Sequence, residues 1–461
     1  MKKLTILVVT LVALLSMVLA SCTSAPTATP TQPAPTATQP APTATRPPTA
    51  AATPVPGATA TRVPTPTPTS PAPTATPPQP TPTGAPQLLK FGAHLALSGS
   101  GALWGLAGQR GNNIAKEEIN AAGGIVVGGQ RYLLDNVVYY DDKYIPDEGV
   151  KAANKLIFED KVKFVVNTGG TGPSLASAPI FTDNKILSLQ GLCYSKDSIG
   201  AKYPYAFRSV MSSAFYYKPF VDWMRKTKYP TESQKVALLD QNDALGWTVH
   251  EQALASWKKS GATVVFEGYY PAGTTDFTSI LTTILAKGPT LFDPGAVSPG
   301  QFGPMITQLR DLNFKGPIIT ATYQIPTDLQ KAVKADYLEG LITAYPDMIT
   351  DAANPAQKAF STTFIKAYGE PFLPLSTWSY VGLKNLAQAI VKANSLDPVV
   401  VTKTLEGMTF PGTILGDGSW AGAELYGGLN HEFTANQMFI QLQNGKVVRV
   451  ADLKPQIYTA P

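Results

Sequence analysis

Apolar positions fall into three regimes along the 461 residues. Residues 4–20 form a nearly unbroken apolar run, and residues 23–86 show no apolar period at all. From Leu88 onward, short apolar runs alternate with stretches whose apolar residues recur every three or four positions, strand then helix, repeatedly. LLKFGAHLAL (88–97) predicts a strand, and the spacing of Leu103, Ala107, Ile114, Ala115, Ile119 and Ala122 predicts a helix over 102–122 that Gly123-Gly124 stops. YLLDNVVYY is a second strand. IPDEGVKAANKLIFED is a helix with Pro146 and Asp147 at its start. VKFVVN (162–167) is a third strand, ending in TGGTG, and a further helix leads to ILSLQ.

A second series begins after PYAFRSV (204–210). SAFYYKPFVDWMRKT predicts a helix, KVALLD (235–240) a strand and GWTVHEQALASWKKSG a helix. ATVVFEGYY, LFD, PIITA and LEGLITAYP follow as strands, with helices at TTDFTSILTTILAKG and GQFGPMITQLRDL. Three helices lie near 354–368, 376–393 and 397–406. The tail turns to strands: TILGDGSWAG, NQMFIQLQNG and KVVRVADL. Alternating βα units imply parallel sheets with helices on both faces, and the break near 208–212 divides them into two lobes. Ligands of such sheets bind beyond the C-terminal strand ends. Here those turns read SGSGALWG, NTGGTG, QGLCYS, DQNDALG, DPGAVSPG and TATYQIP.

Composition changes the picture at the N-terminus. Lys2 and Lys3 precede the apolar run, which is short for a membrane span and ends in Leu19-Ala20-Ser21-Cys22. A small-residue site stopping at a cysteine resembles a bacterial lipoprotein signal. That resemblance implies a signal peptide over 1–21 and lipid on the Cys22 sulfur. Residues 22–86 then form a linker. Positions 23–86 hold 20 of the 41 prolines and 19 threonines, with no acidic or aromatic residue, and APTAT occurs four times. Such a segment buries too little apolar surface to offset the entropy of ordering. Proline biases it toward extended polyproline II, about 200 Å at full stretch and about 3.1 Å per residue.

Most of the formal charge of +5 also resides there: Lys2, Lys3, Arg46 and Arg62 precede residue 87, and without them 33 basic residues face 32 acidic ones. A nearly neutral folded part carries no nucleic-acid footprint. Cys193, the second of two cysteines, has no partner once Cys22 is acylated, so no disulfide framework is expected. A small buried hydrophobe is the simpler reading of its side chain.

Enzyme motifs are thin. Gly99, Gly101 and Gly105 follow a strand and open a helix, but the spacing G-x-G-x-x-x-G is one residue too long for a dinucleotide fingerprint, and Asp141 and Asp142 come too late for a ribose contact. G-x-S-x-G, H-E-x-x-H and G-x-x-x-x-G-K-[ST] do not occur. His94, His250 and His431 stand far apart in sequence and read as packing or surface residues. The expectation is a binding protein with neither metal nor cofactor.

LALSGSGALWG, AKEEINAAGG, the YYDD preceding a helix, PYAFRS and YYPAGTTDF occur in this order from residue 87 onward. Together they resemble the solute-binding proteins of branched-chain amino-acid-type ABC importers, a type I periplasmic-binding fold. The resemblance implies an α/β protein of two Rossmann-like lobes with parallel sheets and a three-crossing hinge. Crossings would fall near 208–212, near 344–347 and within 412–432. Lobe one would comprise 87–210 with 345–425, and lobe two 211–344 with 426–461.

It further implies a monomer outside the cell that closes on one small organic ligand and presents it to an ABC permease whose ATPase is a separate subunit. A signalling receptor of the same fold is the alternative. The ligand site would draw on Ser100, Trp104, Gly170, Thr171, Leu192, Cys193, Tyr194, Gln241, Asp293, Ala296, Thr322 and Tyr323. In the family a Ser or Thr at the place of Thr171 clamps a carboxylate, although a tight turn alone also explains those glycines. Trp104 stands where an aromatic covers the ligand; a packing role fits the same position. Departures occur at Leu192-Cys193-Tyr194, bulkier than the usual small residues. They recur at Thr322, where amino-acid binders place an acid, and at Ala296, where they place an aromatic. A buried ammonium without a carboxylate is costly. The ligand therefore either uses Asp243 or Asp293 or lacks an ammonium, and a small polar or aromatic molecule is expected in preference to leucine.

Overall fold

The computed structural model describes residues 84–227, 229–230 and 233–457. The expected signal peptide, Cys22 and the linker up to residue 83 lie outside the described residues.

Two sheets organise the chain. The first has eight strands in the order Thr409–Thr413, Gly416–Ala421, Glu432–Thr434, Ala206–Arg208, Leu187–Gln190, Phe164–Thr168, Gly92–Leu95 and Val138–Asp141. Its six strands from Glu432–Thr434 to Val138–Asp141 pair in parallel, and the hairpin Thr409–Ala421 closes one edge antiparallel. The second runs Thr263–Tyr270, Lys235–Gln241 and Leu291–Asp293. It continues through a single parallel bridge, Phe292 to Ile318, into Ile319–Tyr323, Ile342–Ala344, Gln437–Gln443 and Lys446–Leu453. Its final hairpin turns at Asn444 and Gly445, with φ of 50° and 72°, the left-handed pair that an Asn-Gly turn supplies at least cost.

Both sheets are covered on both faces, as parallel sheets require. Along Lys235–Gln241, Val236 and Leu238 belong to one apolar cluster and Ala237 and Leu239 to another, the two-residue alternation of a strand buried on either side. Phe164 and Val166 face the main core, while Val165 joins Leu156 and Phe181 on the far side. Each lobe's first βα unit uses the same close approach. A Cβ on Gly105 would lie 1.9 Å from the carbonyl oxygen of Ala96, and one on Gly246 1.7 Å from that of Gln241. These glycines let a helix rest directly on the strand end before it, which is the packing role of a glycine in the near-fingerprint noted above.

The expected strand over 88–97 is split. Gln87–Leu89 pairs with Gln130–Leu134 in a small separate sheet, and only Gly92–Leu95 enters the main one. YLLDNVVYY is divided likewise: Gln130–Leu134 pairs in the small sheet and Val138–Asp141 in the main one.

The chain passes between the two sheets at 209–212, at 345–354 and at 435–436. The last passage corrects the expected one within 412–432 and the lobe boundary at 425/426. Glu432–Thr434 still pairs with Ala206–Arg208 and with Gly416–Ala421, so residues 426–434 stay with the first lobe and the second regains the chain at Gln437. The glycines of 412–428 mark loops within lobe one and do not mark the hinge.

Candidate functional site

The C-terminal strand ends of both sheets point at one another. From the first lobe come Trp104, in the first turn of helix Ala102–Ala121, and Leu192 and Tyr194, in the loop after strand Leu187–Gln190. Leu375, just before helix Ser376–Ala393, joins them. The second lobe supplies Leu245, in the first turn of helix Ala244–Lys259, and Thr322 and Tyr323, at the end of strand Ile319–Tyr323. These seven side chains enclose a cage in which about 20 Å³ stays open, room for roughly one water. A larger solute enters only when the lobes part.

Aromatic rings make the contact. Tyr194 and Tyr323 meet across the lobes with centroids 6.5 Å apart, and Tyr323 also neighbours Tyr216 at 6.3 Å and Trp378 at 6.2 Å. Tyr323 donates its hydroxyl hydrogen to Gln437 Oε1 at 2.6 Å, which fixes its ring against the third passage of the chain. Burial raises Tyr194 and Tyr323 well above the ordinary phenol range, so both remain neutral hydroxyls. Among the described residues, no charged side chain lines the cage. The indole N–H of Trp104 is buried without a hydrogen-bond partner among the described residues.

Two larger cavities adjoin the cage. One, of about 560 Å³, is lined by Tyr144, Gly172, Leu175, Asp243, Ala244 and Trp247, among others. The Tyr144 hydroxyl lies near the carboxylate of Asp243 across the lobes, and burial followed by that negative charge raises Tyr144. Asp243 caps helix Ala244–Lys259 by accepting the Gly246 N–H at 2.8 Å, and burial raises its carboxyl. The other cavity, of about 650 Å³, reaches from Tyr194 past Ser212 to Trp247 and Tyr426.

The residues expected from sequence divide accordingly. Trp104, Leu192, Tyr194, Thr322 and Tyr323 line the cage. Thr171 and Gly170 lie beneath it. Thr171 Oγ1 accepts the Tyr194 N–H at 3.2 Å, so the hydroxyl holds the loop that carries Tyr194. Gly170, at φ 80°, is covered by Tyr144, whose ring would lie 2.3 Å from a Cβ there.

The structure does not bring the others to the cage. Ser100 is exposed on the preceding turn. Cys193 Sγ lies 3.2 Å from Ser198 Oγ. Gln241 accepts from Ser298 Oγ at 2.6 Å and donates to Asp243. Ala296 is buried, its N–H donating to Asp240 Oδ1 at 2.7 Å. Asp293 accepts from Tyr217 at 2.5 Å, Trp257 at 2.7 Å and the Gly295 N–H at 3.0 Å inside the second lobe, and burial pushes its carboxyl up to about 6. It is therefore not a counter-charge for a ligand in the cage. Thr322 donates to the Gly295 carbonyl at 2.7 Å.

Sequence reasoning missed Leu245, Leu375 and Tyr144. Leu245 had a signal, since it follows the Asp243 cap at a strand-to-helix turn. Leu375 had none, being delivered by a helix from more than 250 residues beyond Trp104.

The three histidines are buried, in keeping with the packing reading, and each meets a carboxylate. His94 lies 2.8 Å from Asp142 and 3.0 Å from Ser177 Oγ. His250 lies 2.8 Å from Asp240, and His431 3.1 Å from Glu406. Ser177, His94 and Asp142 have the connectivity of a nucleophilic triad. All three are fully buried and tie Gly92–Leu95 to the neighbouring loop and helix.

A family model described as periplasmic binding protein matches residues 89–446, which takes in all three passages and both sheets short of the last strand, Lys446–Leu453. The chain belongs to the periplasmic binding protein family. Among curated relatives of this periplasmic binding protein, "Leu/Ile/Val-binding protein homolog 8" of Brucella abortus is 26% identical over 385 residues, covering 78% of this chain and 90% of the relative. "Leu/Ile/Val-binding protein homolog 1" of the same organism is 24% identical, covering 71% and 85%.

Solved structures share the fold. The branched-chain amino acid transporter substrate binding protein of Streptococcus pneumoniae, in complex with isoleucine, superposes with a TM-score of 0.67 at 21% identity, covering 80% of this chain and all of the other. An R. palustris ABC-transporter solute binding protein in complex with benzoate gives 0.68 at 19% identity, covering 81% and 98%. The α/β architecture is that of a type I periplasmic binding protein. The family is extracytoplasmic and binds substrates, and among the described residues no helix is long and apolar enough to cross a membrane.

Proposed function

We propose that this chain is the solute-binding subunit of an ABC importer. It captures a small organic solute, an amino acid, an amide or an aromatic or polar carboxylate, between its lobes. The observation that carries this reading is the cage built jointly by Trp104, Leu192 and Tyr194 of one lobe and Leu245, Thr322 and Tyr323 of the other. A solute touching both sets gains contacts only when the lobes are together. Its binding therefore shifts the population toward closure by its differential affinity for the closed state.

The absence of a charged lining favours a ligand whose planar or apolar part fills the cage. Thr171 and Gly170 act by holding Tyr194 and Tyr144 in place. The relatives named for leucine, isoleucine and valine, and the structures holding isoleucine or benzoate, support this range of chemistry.

The permease reads the closed form, and ATP is consumed by a separate subunit. Lipid on Cys22 holds the chain to the membrane, and the linker over 23–86 lets a monomer range near its permease at raised effective concentration.

A thermal-shift screen of the full chain against amino acids, amides, aromatic carboxylates and other small aromatic solutes tests the proposal. A ligand present at 100 times its dissociation constant adds about 2.7 kcal/mol of stability. Stabilisation by one chemical group of solutes is expected, and a flat response across all of them counts against solute capture.

A further inference from the structure

The edge of the first lobe opposite the cage combines exposed apolar side chains with lysines. Strands Leu187–Gln190, Phe164–Thr168, Gly92–Leu95 and Val138–Asp141 run parallel, so their starts share one edge and their ends, on the side of the cage, the other. The two most exposed large apolar side chains among the described residues, Leu88 at 65% and Phe158 at 61%, lie at the starting edge. Leu88 and Lys90 alternate with buried Leu89 and Phe91, so both point outward on one side. Lys90 Nζ donates to the Asp160 carbonyl at 3.2 Å, which brings that side against the turn after Phe158.

Lys161 and Lys163 lie between Phe158 and strand Phe164–Thr168, and Lys185 precedes the neighbouring strand, whose Leu187 pairs with Phe164. All three are exposed, as is Lys90. Lys155 sits 5.2 Å over the ring of Tyr140. Of the acids nearby, Asp160 accepts the Tyr140 hydroxyl at 3.0 Å and Asp135 the Asn136 N–H at 2.8 Å, which leaves Glu159 and Asp183 as the exposed ones. Lys161 and Lys185 have φ of 59° and 52° and follow the helical segments Lys155–Glu159 and Thr171–Asp183. Glycine or asparagine takes left-handed backbone at a helix end with less strain, so lysine at both places sets an exposed charge above backbone ease. Gly84, the first described residue, leads into this edge through Gln87–Leu89, so the segment bearing the expected leader attaches on the same side.

We propose that this edge is a membrane-contacting face for an anionic bilayer. Phe158 and Leu88 enter the interfacial layer, and Lys90, Lys161, Lys163 and Lys185 meet lipid phosphates. An apolar ring flanked by ammonium groups suits that layer, where the ring leaves water and the charges stay among the headgroups. The contact turns the cage away from the bilayer, toward the solution from which solute is taken. It requires neither solute in the cage nor lipid on Cys22.

Vesicle sedimentation of the chain from residue 22, carrying Cys22→Ser so that no lipid tethers it, tests the face. Partition onto phosphatidylglycerol mixed with phosphatidylcholine is expected to exceed that onto phosphatidylcholine alone at least tenfold, and to fall away at about 0.5 M salt. Lys161→Glu/Lys163→Glu should lower it at least tenfold and Phe158→Ser severalfold, with unchanged melting curves, because all three positions are exposed. Equal partition onto the two vesicle types overturns the membrane face, as does partition unchanged in either variant. Solute capture, read by the thermal-shift screen, stands or falls separately.

Discussion

Arg208 and Glu432, 224 residues apart, form an ion pair of 2.7 Å from which solvent is wholly excluded. Glu432 Oε1 also accepts the Ser212 N–H, and Oε2 accepts from Ser212 Oγ and from Tyr426. Arg208 donates to the Ser195 carbonyl and to Ser198 Oγ. Burial alone would lower the guanidinium, but Glu432 outweighs it and the net effect raises Arg208. The pair joins the first passage between the lobes to the strand that precedes the third, and through Ser195 it reaches the loop of Tyr194.

Removing one partner of such a pair leaves a buried charge uncompensated. Glu432→Gln is expected to cost roughly 3–5 kcal/mol, read from the shift of the denaturant midpoint. A paired replacement, Arg208→Met with Glu432→Leu, should lose much less. A single substitution that costs under about 1 kcal/mol would show that the charge is not held in the folded protein.

Thr171 supports the site through Tyr194, whose N–H its hydroxyl accepts. Thr171→Ala strands that N–H, so the variant should lose about 1–3 kcal/mol of stability and bind the strongest solute of the thermal-shift screen more weakly. Thr171→Ser should restore both. Calorimetry that finds unchanged affinity in the alanine variant would separate Thr171 from the cage.

Much of the fold was legible along the chain. Helix Ser376–Ala393 coincides with its apolar period, whereas Asn444 and Gly445, taken as the end of a strand, form the hairpin turn. The strand-to-helix turns named from the sequence include those that carry Trp104, Tyr194, Leu245 and Thr322 to the facing ends of the two sheets. What was not legible depends on pairs remote in sequence. Glu432 reads as a loop residue among glycines until Arg208 is placed beside it, and so the third passage was expected too early. Asp293 looked available because nothing near it in the chain announces Tyr217 and Trp257. Local pattern sets which residues are buried but not which distant partners satisfy them.

His250 gives the protein a pH dependence with a definite sign. Burial lowers its ring, but the hydrogen bond and charge of Asp240, with Glu267 and Asp293 beyond, raise it above its ordinary 6.5. A base held more tightly when folded stabilises fully below its unfolded value and loses that contribution as pH rises through the folded value. The stability gap between the native protein and His250→Gln should therefore be widest below pH 6.5 and shrink steadily above it. Denaturation curves at pH 6 and pH 8.5 check this, and a gap that widens with pH would reverse the assignment.

Membrane attachment is expected to depend on one sulfur. Cys22→Ser should move the protein from the membrane pellet to the soluble fraction and leave solute binding unaltered. A variant that still sediments with membranes contradicts lipid on Cys22.

Solution scattering from residues 84–461, with and without the strongest solute of the screen, tests the central claim most directly. Tyr194 and Tyr323 stand 6.5 Å apart only when the lobes are together. Saturating solute should reduce the radius of gyration and bring the profile to that of the closed structure. Superimposable profiles at full occupancy, with calorimetry proving that the solute is bound, would contradict closure over a ligand.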